Sequence, residues 1–227
     1  MNWMKKVAVA LVCLLPLGLQ AAKVDTLQVK SPSMNKSIEV VVVSPDVAAT
    51  KACPVIYLLH GYGGNARTWV GIKPDLSKIA DEKGIFFVCP DGKNTWYWDS
   101  PLNADVRYET FISDELVKYV DSHYKTVADR KGRAITGLSM GGHGAMWNGL
   151  RHSDVFSAAG STSGGVDIRP FPKNWEMSVQ IGEKAKYPEN WEKYTVINLV
   201  PTLRKDQIAL IFDCGDSDFF LEVNKNY

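Results

Sequence analysis

Histidine is scarce in this chain of 227 residues: there are four, and none follows His152. Cysteine is scarce too, and its four residues form neither a Cys-x-x-Cys spacing nor a Cys/His cluster, so the sequence predicts no zinc site. A formal net charge of +1 without any basic run argues against a nucleic-acid-binding protein. No Gly-Lys-Ser/Thr follows the glycine-rich stretches, which disfavours a phosphate-binding loop. We therefore expect no metal, no cofactor and no nucleic-acid partner.

The first 22 residues lack the composition of a folded segment. Lys5 and Lys6 precede an apolar run over 7–19, which ends close to the small residues Ala21 and Ala22. This pattern predicts a secretory signal peptide over 1–22, because the apolar run is too short for a membrane anchor. The remaining residues, 23–227, are enough for one globular domain. We expect a secreted or periplasmic protein that has no membrane contact after the signal is removed.

Three cysteines lie beyond the predicted signal peptide, at Cys53, Cys89 and Cys214. An odd number excludes a fully paired disulfide framework. Each lies at the end of a predicted strand, where a buried thiol packs as a small apolar side chain. A single bridge between Cys53 and Cys89 would require that their strands be neighbours, and this alternative stays open.

Apolar runs alternate with helical spacing along most of the chain. Segments rich in β-branched or apolar residues predict strands, and 3.6-residue periodicity predicts helices between them. Strands are predicted at 24–29, 37–43, 54–59, 85–89, 134–136, 156–160 and 207–214, with helices at 72–83, 108–124 and 145–151. This order predicts an α/β fold with a mostly parallel sheet flanked by helices. Residues 164–201 break the pattern and are either a loop that roofs a site or a surface elaboration.

The stretch Gly137-Leu138-Ser139-Met140-Gly141 lies between a predicted strand and a predicted helix. In that context a Gly-x-Ser-x-Gly motif predicts a nucleophile elbow, a tight turn that exposes the serine hydroxyl at the edge of a sheet. We expect Ser139 to be a catalytic nucleophile.

A second glycine-rich stretch, His60-Gly61-Tyr62-Gly63-Gly64, follows the predicted strand 54–59. Serine hydrolases bind the oxyanion with one backbone N–H from such a loop and one from the residue after the nucleophile. The candidate donors are the N–H groups of Tyr62 and Met140. We interpret His60 as a structural hydrogen-bonding residue of this loop.

Acidic residues follow the last predicted strand, at Asp213, Asp216 and Asp218. The acid of the triad follows the serine in chain order, and Asp218 is the best placed of the three, with Asp216 second. The base should be a histidine beyond the acid, and this chain has none there. His143 is a poor substitute, because the first turn of the helix should direct its side chain away from the hydroxyl.

Three aromatic residues, Trp96, Tyr97 and Trp98, occupy a loop after the predicted strand 85–89. Such a loop at the catalytic edge would offer Trp96 and Trp98 as a stacking surface for an aromatic or sugar group. The alternative is that the rings only anchor the loop to the domain.

The stretches 137–145, 60–64 and 213–218 together resemble the esterase family of α/β hydrolases, which includes S-formylglutathione hydrolases, tributyrin esterases, feruloyl and acetylxylan esterases and mycolyltransferases. The resemblance covers about 24–227. It implies an α/β-hydrolase domain over 23–227, with Ser139 as nucleophile, Asp218 as acid and the amides of Tyr62 and Met140 as oxyanion donors.

The resemblance also implies a later Gly-x-His segment, a last strand and a closing helix, which this sequence lacks. We expect a chain cut short at its C-terminus and impaired on its own. Export and the aromatic loop favour a serine carbohydrate esterase, acting on feruloyl or acetyl esters of polysaccharides. The alternatives are an acyltransferase of the same fold and a non-catalytic relative that binds carbohydrate or a partner.

Overall fold

The computed structural model describes residues 22–227. The predicted signal peptide therefore lies outside the described residues, apart from Ala22. Within the described part, every helix is too short or too polar to cross a membrane.

A seven-stranded sheet forms the centre of the molecule, in the order β1-β2-β4-β3-β5-β6-β7. The pairs β1–β2 and β2–β4 are antiparallel, and all other pairs are parallel. The fold class predicted from the sequence is confirmed. The strands are β1 (Lys23–Ser31), β2 (Lys36–Ser44), β3 (Val55–Leu59), β4 (Phe86–Pro90), β5 (Arg133–Gly137), β6 (Ala158–Thr162) and β7 (Ala209–Asp213).

Helices connect the parallel strands. They are α1 (Thr68–Ile72), α2 (Leu76–Lys83), α3 (Tyr108–Thr110), α4 (Leu116–His123), α5 (Met140–Arg151), α6 (Met177–Ile181), α7 (Pro188–Lys193) and α8 (Leu221–Lys225). A π-helical turn, Phe111–Glu115, joins α3 to α4, so that the predicted helix 108–124 is nearly continuous. The predicted helix 72–83 instead begins after Pro74, because proline removes a backbone donor.

The apolar sequences of the central strands explain why these strands are buried in the middle of the sheet. All five residues of β4 are buried, and β3 is buried at four of five positions, as strands covered by helices on both faces must be. Because β3, β4 and β5 are parallel, their carboxyl ends meet at one edge of the sheet. The loops that begin at His60, Asp91 and Leu138 therefore start side by side.

The register of β3 and β4 shows whether Cys53 and Cys89 can form a disulfide. The strands are neighbours, with Val55 opposite Phe86 and Tyr57 opposite Val88. Cys53 thus precedes the start of this pairing while Cys89 follows its end, roughly 15 Å apart at the rise of a strand. A disulfide needs Cα atoms within about 7 Å. The Cys53–Cys89 bridge left open by the sequence is therefore wrong, and both cysteines are free.

The segment between β6 and β7 is packed against the core, although it has little regular structure. Met177, Ile181, Trp191 and Val196 are buried, and the Tyr194 hydroxyl donates a hydrogen bond of 2.7 Å to the carbonyl of Asp99. This segment, 163–208, is called the excursion below. Its contacts fix it over the carboxyl edge of the sheet.

Strand β7 is an edge of the sheet in the described part of the chain. Ile211 and Phe212 are 74% and 46% exposed there. An edge of this kind has unpaired backbone groups and an apolar surface that favours pairing with other chains.

The free cysteines give a test of the register. After unfolding in urea without reductant, Cys53 and Cys89 should both react completely with iodoacetamide, because no bridge protects them. Mass spectrometry of the digested protein measures the labelling. A peptide pair linked through Cys53 and Cys89 in the unreduced sample would contradict the parallel register.

Candidate active site

Ser139 occupies a strained turn between β5 and α5. Its backbone angles are φ 56° and ψ −116°, a conformation that costs an L-residue about 1–3 kcal/mol. Glycines make the turn sterically feasible, since a Cβ on Gly141 would overlap the carbonyl oxygen of Leu59. The predicted elbow is thus present in the backbone, and its serine is only partly buried.

Hydrogen bonds to both neighbouring strands hold this turn. The N–H of Ser139 donates to the carbonyl of Thr162 at 2.9 Å, and the N–H of Leu138 donates to that of Leu59 at 3.2 Å. The carbonyl of Ser139 accepts from the N–H of His143 at 3.0 Å, which begins helix α5. The strained conformation is therefore fixed by β3, β6 and α5 together.

The loop after β3 passes directly beside the serine. A Cβ placed on Gly61 would lie 3.6 Å from the Cβ of Ser139, in van der Waals contact, which shows how near the loop passes to the serine. Within residues 22–227, the N–H groups of Tyr62 and Met140 donate no hydrogen bond. Met140 is the first residue of α5, where backbone N–H groups carry partial positive charge. Both amides are therefore available to an oxyanion.

A carboxylate from the excursion supports this loop. The N–H of Gly63 donates to Oδ1 of Asn94 at 2.9 Å, and Nδ2 of Asn94 donates to Oε2 of Glu176 at 3.1 Å. Partial burial and a hydrogen bond to Glu176 raise the pKa of the Tyr62 hydroxyl. No pattern in the sequence pointed to Asn94 or Glu176, because they lie about 80 positions apart.

His60 is a structural residue of the loop, as its position suggested. Its Nδ1 lies 2.8 Å from the carbonyl of Gly61, and its Nε2 accepts the N–H of Gly92 at 2.9 Å. These partners require the neutral tautomer with the proton on Nδ1. Both ring nitrogens are engaged, so His60 cannot serve as a base without breaking the loop.

The side chain of His143 is fully buried, and both of its ring nitrogens are hydrogen-bonded. Its Nδ1 donates to the carbonyl of Gly165 at 2.8 Å, and its Nε2 accepts the indole N–H of Trp98 at 2.9 Å. Burial lowers the pKa of His143 to about 4, with the Gly165 hydrogen bond acting in the opposite direction. Of the other two histidines, His123 contacts the carbonyl of Tyr119, and His152 contacts the carboxylate of Glu109. No histidine side chain is hydrogen-bonded to the hydroxyl of Ser139.

Asp218 lies in the loop after β7, at the same edge of the sheet as Ser139. It is partly buried, and its Oδ1 accepts the N–H of Phe220 at 2.7 Å, which begins the turn into α8. Asp216 is exposed and contacts Ser217. Asp213, the last residue of β7, accepts a long hydrogen bond from Thr162. Of the three aspartates, Asp218 therefore has the carboxylate that is best fixed in position.

The predicted aromatic stacking surface is wrong for Trp96 and Trp98. They are 1% and 0% exposed, so neither ring has a free face for a substrate. The two indoles stack on each other with centroids 5.6 Å apart, and the N–H of Trp96 donates to the carbonyl of Trp175. They anchor the loop to the domain, which was the alternative interpretation.

Other aromatic rings, on the loop after β3, the excursion and the loop after β7, do remain accessible. Phe219 is 63% exposed and stacks on Trp175 at 5.4 Å, while Tyr62 is 39% exposed beside Glu176. Trp175 and Phe219 were not predicted from the sequence to be accessible aromatic residues. The signal available was weak, since an aromatic residue in a loop looks the same whether it is buried or exposed.

Backbone strain concentrates around this edge of the sheet. Among residues 22–227, nine residues other than glycine have positive φ, and seven of them lie in the elbow, the loop after β4 or the first part of the excursion: Lys93, Trp96, Tyr97, Ser139, Ser163, Trp175 and Glu176. Such conformations persist only where surrounding contacts enforce them, and they cluster at functional sites. The described residues contain no cluster of three or more His, Cys, Asp or Glu side chains arranged for a metal ion.

The mostly parallel sheet, the strained serine after β5 and the glycine loop beside it define the α/β-hydrolase fold. Residues 31–226 match the sequence profile described as "Putative esterase". The chain belongs to this esterase family.

Individual relatives agree with this assignment. An esterase of Mycobacterium tuberculosis is 31% identical over 149 residues, which cover 63% of this chain and 32% of that protein. The chain thus spans about a third of that relative. An acetyl esterase of Caldicellulosiruptor saccharolyticus is 25% identical over 75% of this chain and 68% of that protein. A solved ferulic acid esterase is 30% identical, with a TM-score of 0.73, over 91% of this chain and 84% of its own.

The buried imidazole of His143 predicts a pH-dependent stability. Its pKa is about 4 in the folded protein and 6.5 in the unfolded chain, so below pH 6.5 the unfolded state binds a proton that the folded state does not. The free energy of unfolding should fall by about 2 kcal/mol between pH 7 and pH 5 from this residue alone. Urea unfolding at both pH values measures the change.

The variant His143→Gln should remove this part of the pH dependence, even though it is less stable at pH 7. The matched control His123→Gln changes an exposed histidine and should keep the wild-type dependence. Equal pH dependence in wild type and His143→Gln would contradict the assigned neutral, buried imidazole.

Proposed function

We propose that the protein is an exported serine carboxylic-ester hydrolase that acts through an acyl-enzyme. The observation that carries this proposal is the strained turn at Ser139, together with the glycine loop beside it and the two free amides of Tyr62 and Met140. A strained backbone conformation of this kind is typical of sites where a serine hydroxyl has to project beside oxyanion donors. Family membership supports ester hydrolysis as the reaction class.

In the proposed reaction, Oγ of Ser139 attacks the ester carbonyl carbon as its proton passes to a base. The carbonyl oxygen becomes an oxyanion, which accepts hydrogen bonds from the N–H groups of Tyr62 and Met140. The C–O bond to the alcohol then breaks, and the alcohol leaves with a proton from the same base. Water attacks the acyl-enzyme in the reverse sense and releases the acid, with Asp218 orienting the base.

The base is the component that this chain's histidines do not supply. His60 and His143 use both ring nitrogens in structural hydrogen bonds, and neither His123 nor His152 contacts Ser139. We therefore propose that the 227-residue chain has a formed nucleophile and oxyanion site but only weak activity by itself. A non-catalytic relative that binds carbohydrate is the competing function, and the same observation favours it.

For the substrate we propose feruloyl or acetyl esters carried by polysaccharides. Two of the similar proteins are a ferulic acid esterase and an acetyl esterase. The exposed rings of Phe219 and Tyr62, with the partly buried Trp175, lie on the loops around the site and are suited to stacking on an aromatic acid or a sugar. An acyltransferase of the same fold would differ only in its acceptor, and product analysis with water and sugar acceptors separates the two.

Chemical rescue tests the proposed site directly. Exogenous imidazole should replace the absent base and raise hydrolysis of p-nitrophenyl acetate by the wild-type chain above its own low rate. Ser139→Ala should show only the rate that imidazole gives without protein, because the nucleophile is gone. The difference between the two proteins over a range of imidazole concentrations is the measured quantity.

Two outcomes contradict the proposal. If wild type and Ser139→Ala respond equally to imidazole, Ser139 is not a nucleophile and the non-catalytic function is favoured. If the chain is fully active without imidazole and His143→Ala abolishes that activity, His143 is the base and the assignment of its structural role is wrong.

A further inference from the structure

A cavity of about 570 Å³ lies beside the glycine loop, outside the site described above. Its walls come from the start of β2, the segment after Gly64 and the loop after β4, and include Lys36, Arg67 and Lys93. The first residues of β2 lie at the carboxyl edge of the sheet, since β2 is antiparallel to β4 and Val40 is opposite Pro90. The cavity thus opens at the edge where Ser139 lies.

The charges of this cavity do not balance. Two carboxylates in its wall are each paired with a cation: Asp91 with Lys93 at 2.6 Å, and Glu39 with Arg67 at 3.6 Å. Lys36 has no carboxylate within 4 Å among the described residues, and its ammonium lies 4.9 Å from the centre of the Tyr108 ring and 3.2 Å from the carbonyl of Asp105. One positive charge therefore has no ionic partner.

Lys36 is affected by burial and by charges of both signs. Partial burial lowers the pKa of Lys36; the Asp105 carboxylate acts in the opposite direction, and the Lys93 ammonium, a smaller influence, lowers the pKa further. An anionic group in the cavity would accept hydrogen bonds from an ionised donor, which are the stronger kind.

The remaining wall of the cavity is suited to hydroxyl groups. Gln28, Ser37 and Asn65 bring amide and hydroxyl groups to it. These side chains can both donate and accept, as the hydroxyl groups of a sugar require. An open, polar cavity with one unpaired cation fits an acidic sugar better than an apolar acid.

The position of the cavity matches a chain that continues beyond the ester. Strand β2 is three strand positions from β5 and β4 is two, so the cavity lies roughly 10–15 Å from the elbow at the usual strand spacing. A short oligosaccharide spans that distance. The ester-bearing sugar would lie at Ser139 while another sugar of the same chain reaches Lys36.

We propose that this cavity is a subsite for a uronic acid, whose carboxylate pairs with Lys36 between Lys93 and Arg67. The saccharide nature of the ligand rests on the proposed hydrolysis of polysaccharide esters. The subsite would select polysaccharides that carry acidic sugars close to the ester, and it would raise affinity without taking part in bond cleavage.

Calorimetric titration of the 227-residue protein tests this proposal without any turnover. The probes are xylotriose carrying one glucuronic acid, neutral xylotetraose, free glucuronate and inorganic phosphate, none of which contains an ester. The acidic oligosaccharide should bind at least about tenfold more tightly than the neutral one, the gain expected from one charge-assisted hydrogen bond. This preference should decrease as salt is added, because the charges are exposed.

Variants assign the preference to the cavity. Lys36→Met removes the ammonium but keeps an unbranched side chain, and it should lose most of the preference, while Arg67→Met should reduce it in part. The control Lys51→Met removes an exposed charge beyond the opposite edge of the sheet and should bind like wild type. Because the two lysine variants have the same net charge, a general charge effect would weaken both equally.

Two results would overturn the proposal directly: equal affinity for acidic and neutral oligosaccharides, and an unchanged preference in Lys36→Met. A third would do so by showing an unspecific anion site, namely binding of phosphate or glucuronate as tight as that of the acidic oligosaccharide. These results are independent of imidazole rescue. A failed rescue with intact uronate preference would reject the hydrolase and keep the subsite, and the reverse would reject only the subsite.

Discussion

The backbone conformation of Ser139 is the constraint on which the organisation of the site depends. A residue at φ 56° and ψ −116° is unfavourable in isolation, and it persists here because two strands and a helix bind its neighbours. The hydrogen bonds to Leu59 and Thr162 are available only if β3 and β6 flank β5 in parallel with their carboxyl ends aligned. The parallel sheet is therefore a condition for the elbow as well as a scaffold beneath it.

The same geometry carries the oxyanion loop to the serine. Since β3 and β5 end together, the residues after Leu59 pass beside the turn, and a Cβ at position 61 would contact the Cβ of Ser139. The loop is then held from outside by Asn94 and Glu176, which link it to the excursion. A movement of the excursion would therefore displace the backbone amide of Tyr62, which is one residue before the anchored Gly63. The positions of the excursion and of the loop after β3 are coupled through Glu176 and Asn94.

The parts of the site that could be predicted from sequence are those fixed by steric rules. Gly-x-Ser-x-Gly between a strand and a helix has one common structural solution, and the buried strands 54–59 and 85–89 require a covered parallel sheet. The failures concern side chains whose environment depends on distant residues. Trp96 and Trp98 are buried because His143, Tyr194 and Trp175 cover them, and all three come from segments at least 40 positions away. Cys53 and Cys89 required the register of two strands, which periodicity alone does not give.

The burial of His143 has a consequence for how the activity of this chain should be understood. An imidazole four residues after a nucleophilic serine invites assignment as its base, yet a base must exchange protons near neutral pH and reach the hydroxyl. His143 does neither, because burial shifts its pKa to about 4 and its ring is fixed between Trp98 and Gly165. Its role is to connect α5 to the loop after β4 and to the excursion. The residue that looks most catalytic by spacing therefore connects the elbow helix to its surroundings, and these contacts leave neither of its ring nitrogens free to act as a base.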